Sequence, residues 1–153
     1  MFLCFTGLRF GDIYGLKYIS IKTVKDIHIL DFVQHKTSKP IVIPLIKQAM
    51  ELIPENGLPY QKVFNVLVNQ KTNFHLKAIM KKAEIDKRIT FHSARHTCSN
   101  VLHGLGVPLE LRCMIIGDTK EVVSGHYTQE NINLKLEALL KLESSVKAHM
   151  ESI

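Results

Sequence analysis

The chain has 153 residues, 46% of them hydrophobic, and a formal net charge of +6 from 20 lysines and arginines against 14 acidic residues. This length suits one well-buried domain, and no apolar run reaches the roughly 18 to 20 residues that a membrane-spanning helix needs. The three cysteines, Cys4, Cys98 and Cys113, are isolated and odd in number, which argues for a reducing compartment and against a disulfide framework. The excess of positive charge favours a polyanionic partner, of which nucleic acid is the commonest.

The first third of the chain alternates between short helices and strands. Residues 1–10 are predicted to be the last turns of an apolar helix, and a short helix then leads into an extended segment. Residues 27–34 and 39–45 are rich in β-branched and aromatic side chains, and the turn residues HKTSK lie between them. This pattern predicts a β-hairpin with a basic tip. Pro44 fits the first turn of a following helix that ends near Pro54.

The remainder of the chain is predicted to be helical. The periodicity of apolar residues predicts helices at about 73–85, 92–103, 108–116, 119–128 and 131–149. Asn73 is suited to cap the first of them. The last carries an apolar stripe that either closes its own core or docks on a neighbour. We therefore predict one α+β domain over residues 1–153, mainly α-helical with a small antiparallel sheet, in which residues 131–153 form a C-terminal helix and tail.

The segment TFHSARHTCSN, residues 90–100, concentrates groups that carry chemistry. His92, Arg95 and His96 follow the i, i+3, i+4 pattern and therefore share one helix face. A metal site needs a third ligand and often a glutamate beside the first histidine, but that neighbour is Ser93 and Arg95 would put a cation next to the metal. Two imidazoles beside a guanidinium also suit a phosphate group, and an ordinary solvated helix face is the remaining alternative.

Three further motifs accompany this segment in a fixed order. They are TGLR at 6–9, HKT at 35–37 and a glycine followed ten residues later by a tyrosine at 117–127, with H-x-x-R-H at 92–96 between the last two. Together they resemble the catalytic domain of the tyrosine recombinases, the family of phage and conjugative-transposon integrases. The resemblance implies the fold of the DNA breaking-rejoining enzymes.

The resemblance also implies a reaction. In this family a tyrosine hydroxyl attacks a DNA phosphodiester, forms a 3′-phosphotyrosyl link and releases a 5′-hydroxyl, with no metal ion and no cofactor. By position Tyr127 is the nucleophile. Arg9 and Arg95 are expected to clamp the phosphate and to stabilise the charge that develops on its oxygens. His92 is expected to donate a hydrogen bond or transfer a proton.

Four other residues match supporting positions of the family pattern. Lys36 on the hairpin best fits the general acid that protonates the leaving oxygen, and Lys39 is the alternative. Asp12 is expected to orient the first arginine. His96 is expected to have a structural role. No metal-ligating residue is implied.

The chain departs from the family pattern in two respects. Asp118 stands where a histidine or tryptophan usually contacts the phosphate, and a carboxylate there repels a phosphodiester unless it is protonated or paired. We therefore expect reduced or conditional activity. The family pattern also includes an N-terminal core-binding domain that these 153 residues do not match, and we therefore expect a fragment or a truncated remnant. With half a clamp, DNA binding is expected to be weak and to fall steeply with salt.

Three classes of function follow from these observations. The favoured one is a DNA recombinase that acts on double-stranded DNA, and the others are a catalytically silent DNA-binding remnant and a histidine-ligated metal hydrolase. By family analogy we expect self-association on DNA, as a tetramer, and a monomer without it. We expect no membrane association and a cytoplasmic, nucleoid-associated protein.

Overall fold

The computed structural model describes residues 1–55, 57–118 and 129–151, with the backbone alone at residue 129. Within these ranges the helices are α1 (Phe2–Thr6), α2 (Phe10–Gly15), α3 (Lys47–Met50), α4 (Asn69–Lys82), α5 (Phe91–Gly104), α6 (Leu109–Ile116) and α7 (Gln129–Glu151). The strands β1 (Ile21–Val24), β2 (Ile27–Val33) and β3 (Pro40–Pro44) form an antiparallel sheet in the order β1-β2-β3. The predicted fold class, mainly helical with a small antiparallel sheet, is confirmed. The helix predicted at 119–128 lies outside the described residues.

The strand β1 was predicted only as an extended segment. It pairs with β2 through a two-residue turn, in which Val24 is opposite Ile27. The two turn residues, Lys25 and Asp26, have positive φ values of 46° and 66°. Two successive residues with positive φ match the right-handed twist of a hairpin, but this turn usually contains Asn-Gly or Asp-Gly. The Lys-Asp pair gives little turn signal in the sequence, so the hairpin could not be recognised from it.

Both faces of β3 are covered. Ile41 and Ile43 face the main hydrophobic core, whereas Val42 packs with Ile29 and Ile132 in a second, smaller cluster on the opposite face. Because side chains alternate along a strand, a segment buried on both sides has a continuous apolar sequence such as IVI. The helix α7 therefore serves as the second cover of the sheet.

Three predicted helix boundaries are wrong. The helix predicted over residues 1–10 ends at Thr6, because Gly7 is left-handed, and a separate helix begins at Phe10. The helix predicted from Pro44 begins only at α3, because Pro44 is still paired with Ile29 at the end of β3. The helix predicted from Asn73 begins four residues earlier, and Asn73 lies inside α4. Its Oδ1 accepts a hydrogen bond from the backbone N–H of Phe91, 2.8 Å away, so it satisfies the first turn of α5 instead of α4.

The helix α5 is central to the helical part of the molecule, since it packs against α1, α4, α6 and α7. The last of these, α7, buries Ala138, Leu139 and Leu142 against the chain's own core, the first of the two predicted alternatives, while Leu140 stays 43% exposed. The helix α4 behaves differently, because none of its residues is buried. Packing therefore fixes α5, which carries the H-x-x-R-H segment.

Candidate active site

The guanidinium of Arg95 is buried at the meeting point of two helix ends. A capping box between Thr90 and Ser93 starts α5 and fixes its first turn. Arg95, 5% exposed, then points inward, and its Nη1 donates to the backbone oxygens of Gly7 (2.7 Å) and Ile116 (2.5 Å). These carbonyls lie at the C-terminal ends of α1 and α6, where backbone oxygens lack helical partners and a cation is favoured.

Glycine is required where these two helices end. Gly7 and Gly117 have φ values of 62° and 67°, in the left-handed region. A Cβ atom on Gly7 would lie 2.7 Å from the Ile116 side chain, and one on Gly117 would lie 2.3 Å from Nε2 of Gln34. The absence of side chains brings the two helix ends close enough to share Arg95.

Arg9 joins the same cluster from the other side. It is the N-cap residue of α2, and Phe10 beside it packs edge-on against Phe91 with ring centroids 4.9 Å apart. Arg9 Nη2 donates to the backbone oxygen of Gly117 at 3.1 Å and to Oδ1 of Asp118 at 3.0 Å. The contact between the two phenylalanines therefore holds the start of α2 against the start of α5.

Asp118 lies between the two arginines. Its second oxygen, Oδ2, is 3.9 Å from Nη2 of Arg95. Burial and the nearby charge of Arg9 lower the pKa of Arg95, while Asp118 and Asp12 raise it. Because arginine stays protonated over the range in which proteins are folded, the site holds two permanent positive charges, with Asp118 between them and Asp12 nearby.

One nitrogen on each of the two guanidinium groups has no hydrogen-bond partner among the described residues. Within the described part of the chain, Nη1 of Arg9 and Nη2 of Arg95 are buried and make no hydrogen bond. Buried donors are nearly always paired, and unpaired ones call for a functional explanation. Guanidinium groups that converge with spare donors are suited to an anion such as phosphate.

His92 and His96 lie at the mouth of this cluster, and their ring centroids are 4.5 Å apart in an edge-to-face arrangement. Partial burial lowers the pKa of His92, and the charges of His96, Arg95 and Arg9 lower it further, whereas Asp118 opposes this effect. At neutral pH His92 is therefore mostly neutral, with one nitrogen that donates and one that accepts. His96 is exposed. Its contact is with the ring of His92.

The hairpin tip between β2 and β3 is attached to this site. Oδ1 of Asp12, a residue 4% exposed, accepts a hydrogen bond of 2.8 Å from the backbone N–H of His35. The buried Gln34 side chain lies against Gly117 and accepts a hydrogen bond from Thr37. Asp12 thus secures the hairpin, while the ion pair of Arg9 is with Asp118.

The two candidate lysines belong to this secured tip. Lys36 is exposed in the turn directly after His35, and the backbone oxygen of Lys39 accepts a hydrogen bond from Gln34 N–H. The hydrogen bond from His35 N–H to Asp12 places this turn against α2, the helix that follows Arg9. Tyr127 lies outside the described residues.

A groove beside the site was not predicted from the sequence. It has a volume of about 960 Å³ and runs along α4 and the loop after it. Its basic side chains are Lys77, Lys81, Lys87 and Arg88, and Phe74 on its wall is 71% exposed. The signal was available: α4 has apolar residues at helical spacing but also many lysines, which is typical of a helix exposed to solvent or to a partner.

The described residues contain neither a metal cluster nor a membrane-spanning helix. Among residues 1–55, 57–118 and 130–151, there is no group of three His, Cys, Asp or Glu side chains arranged to hold a metal ion. No helix in the described part of the chain is both long and apolar enough to cross a membrane.

Comparison with known proteins identifies one protein family and a set of similar structures. Residues 1–133 match the family model described as "Phage integrase family". Three similar structures are the XerH site-specific recombinase bound to difH in a pre-cleavage complex (17% identity, TM-score 0.57), the same enzyme on palindromic difH after cleavage (17%, 0.56), and the Tn1549 transposon integrase with circular intermediate DNA (14%, 0.55). No match was found among curated proteins.

These alignments cover most of this chain but much less of its structural neighbours. They include 86%, 94% and 88% of the present chain and 43%, 42% and 55% of the three neighbours, respectively. The fold of the chain is therefore that of tyrosine recombinase catalytic domains, and the chain spans about half the length of the structures it matches.

Proposed function

Because the chain belongs to the phage integrase family, we propose that residues 1–153 are the catalytic domain of a site-specific DNA recombinase. It cleaves and rejoins double-stranded DNA through a covalent 3′-phosphotyrosyl intermediate. The observation that carries this proposal is that Arg9 and Arg95 converge on one carboxylate, that of Asp118, while both guanidiniums keep N–H donors without a partner among the described residues. The site is built to bind a group with several anionic oxygens.

Each step of the reaction has a candidate residue. The phenolic oxygen of Tyr127 forms a bond to phosphorus, and the bond from phosphorus to the 5′-oxygen breaks. Arg9 and Arg95 stabilise the negative charge that accumulates on the nonbridging oxygens. As Tyr127 attacks, its phenolic proton passes to neutral His92, and Lys36 gives a proton to the leaving 5′-oxygen, with Lys39 as the alternative. Religation reverses the sequence.

Charge outside the site supports a DNA partner. The net charge is +6, and the groove along α4 is lined by four basic side chains and by two acidic ones, Glu84 and Asp86. Lysine and arginine side chains position a DNA backbone without reading its sequence. The structural neighbours are, by their descriptions, DNA complexes of recombinases. Assembly of several copies on DNA, a tetramer by analogy, is part of the same proposal.

A second candidate is a DNA-binding remnant without catalysis. Asp118 favours it, because a carboxylate occupies the position between the two arginines that the phosphate needs. The two candidates differ in one product. Only the recombinase forms a covalent bond between protein and DNA.

The test is covalent capture on nicked DNA. The protein is incubated with nicked duplexes of randomised sequence, so that the short strand released on cleavage diffuses away and religation fails. Adducts are recovered under denaturing conditions. We expect adducts with the wild-type chain and none with Tyr127→Phe, which removes the attacking hydroxyl. DNA binding without any adduct would instead support the remnant, and an adduct that persists in Tyr127→Phe would refute the assignment of the nucleophile.

A further inference from the structure

We infer that the Asp118 carboxylate is an internal competitor for the anion site of Arg9 and Arg95, and that a phosphodiester must displace it. This inference rests on the proposed function, because it takes the displacing anion to be the scissile phosphodiester. One oxygen of Asp118 is 3.0 Å from Arg9 Nη2, and the other is 3.9 Å from Arg95 Nη2. The carboxylate thus spans both guanidiniums, as two nonbridging oxygens of a phosphate would.

The carboxylate is an incomplete ligand for this site. Arg9 Nη1 and Arg95 Nη2 lie buried with no hydrogen-bond partner among the described residues, even though Asp118 is beside them. The distance of 3.9 Å from Asp118 to Arg95 is that of an ion pair and too long for a hydrogen bond. A phosphate can approach with more oxygens than a carboxylate and so can satisfy donors that Asp118 leaves unpaired.

The geometry lets Asp118 leave without moving the helix that precedes it. Its backbone N–H donates to the oxygen of Cys113 at 2.9 Å, which holds the main chain at the end of α6. Its side chain is 63% exposed, whereas the Arg9 and Arg95 side chains are 15% and 6% exposed. Rotation of the carboxylate into solvent therefore opens the site while the arginines stay in place.

Competition of this kind has a predictable size. Ion pairs with one exposed partner contribute modestly to stability, and displacing one has a correspondingly small effect on affinity. We expect removal of the Asp118 charge to strengthen anion binding by about three- to ten-fold. The same removal elsewhere on the surface should have little effect, because charges farther apart than a Debye length of about 8 Å are largely screened.

The experiment is a titration with inorganic phosphate, followed by NMR through the ring signals of His92 and His96. It compares the wild-type chain with Asp118→Asn and with the control Asp31→Asn, which changes net charge equally. Asp31 forms its ion pair with Lys22 in the sheet, 2.6 Å away. We expect Asp118→Asn to bind phosphate about three- to ten-fold more tightly than wild type, and Asp31→Asn to match wild type.

Two results would overturn the inference, and they are distinguishable. If phosphate shifts the histidine signals with the same affinity in wild type, Asp118→Asn and a second variant, Asp118→Ser, then Asp118 does not compete and the phosphate site of the proposed function stands. If phosphate shifts these signals in no variant, the arginine pair is not a phosphate site and both proposals fail. A shift that is lost in Arg9→Gln ties the binding to the arginine pair.

Discussion

Arg95 has a structural role in addition to the proposed one in anion binding, and a substitution would affect both. Its Nη1 joins the C-terminal ends of α1 and α6 through Gly7 and Ile116, while its Nη2 faces Asp118. Removing a buried charge that several carbonyls depend on leaves those carbonyls unpaired. A substitution at Arg95 is therefore expected to change folding as well as the proposed anion binding, so Arg9, which is more exposed, is the better position for functional tests.

Gly117 offers a test of the geometry that brings the helix ends together. Gly117→Ala should destabilise the protein for two reasons. Alanine is strained at a φ of 67°, and its Cβ would lie 2.3 Å from the Gln34 side chain and 2.6 Å from the Ile41 side chain. The left-handed conformation alone costs roughly 1–2 kcal/mol. Chemical denaturation should show a larger loss of unfolding free energy than that.

The matched control is Gly106→Ala. Gly106 has a φ of 75°, but no atom would lie within 4 Å of its Cβ. It should therefore show the conformational cost alone, roughly 1–2 kcal/mol. Equal losses in the two variants would mean that the close approach of Gly117 to the hairpin is not present in solution.

At the scale of elements, α7 is docked on β3 through a buried lysine. Lys135 is 8% exposed, and its Nζ donates to the backbone oxygen of Val42 at 2.8 Å. Burial lowers the pKa of Lys135 from 10.5 to about 8. Between pH 8 and 10.5, Lys135 is therefore mostly protonated in the unfolded chain and mostly neutral in the folded chain. Below pH 8 the folded chain buries the charged form, which lowers the free energy of unfolding.

The stability of the protein should therefore rise with pH through this window. Between pH 8 and 9.5 we expect the unfolding free energy of wild type to rise by about 1–2 kcal/mol relative to Lys135→Met, which has no proton to release. Urea denaturation at several pH values measures this difference. Lys141→Met, at an exposed position of the same helix, is the control and should follow wild type. Parallel profiles for wild type and Lys135→Met would contradict the burial of a charged Lys135.

The elements differ in how far the sequence predicted them. The strand pair 27–34 and 39–45 was predicted because segments rich in β-branched and aromatic residues flank the turn residues HKTSK. The first hairpin was missed because Lys25 and Asp26 adopt positive φ without a glycine. The role of Asn73 was missed because capping depends on which helix start lies nearby in space, and here that is Phe91. A tertiary contact decided the second case.

At the scale of the whole molecule, the order of the motifs predicted the family and the fold but not the hydrogen bonds that hold the two arginines in place. The sequence contains Arg9 and Arg95, yet it does not show that Gly7, Ile116 and Gly117 supply the carbonyls that hold them. Those contacts join segments far apart in the chain, so no local pattern encodes them. The importance of Asp118 was predicted as a departure from the family pattern, whereas its contact with both arginines became visible only in the fold.

The central claim is that the guanidinium of Arg9 helps to cut DNA at the phosphodiester. The most direct measurement is the single-turnover rate of covalent adduct formation by wild type, Arg9→Gln and Lys22→Gln, on a nicked sequence recovered from the capture experiment. Lys22→Gln removes an equal charge from an ion pair in the sheet. Arg9→Gln should slow the reaction by about 10²- to 10³-fold, as loss of a donor to a developing oxyanion does, and Lys22→Gln should stay within about two-fold of wild type. Equal rates in Arg9→Gln and Lys22→Gln would contradict the account.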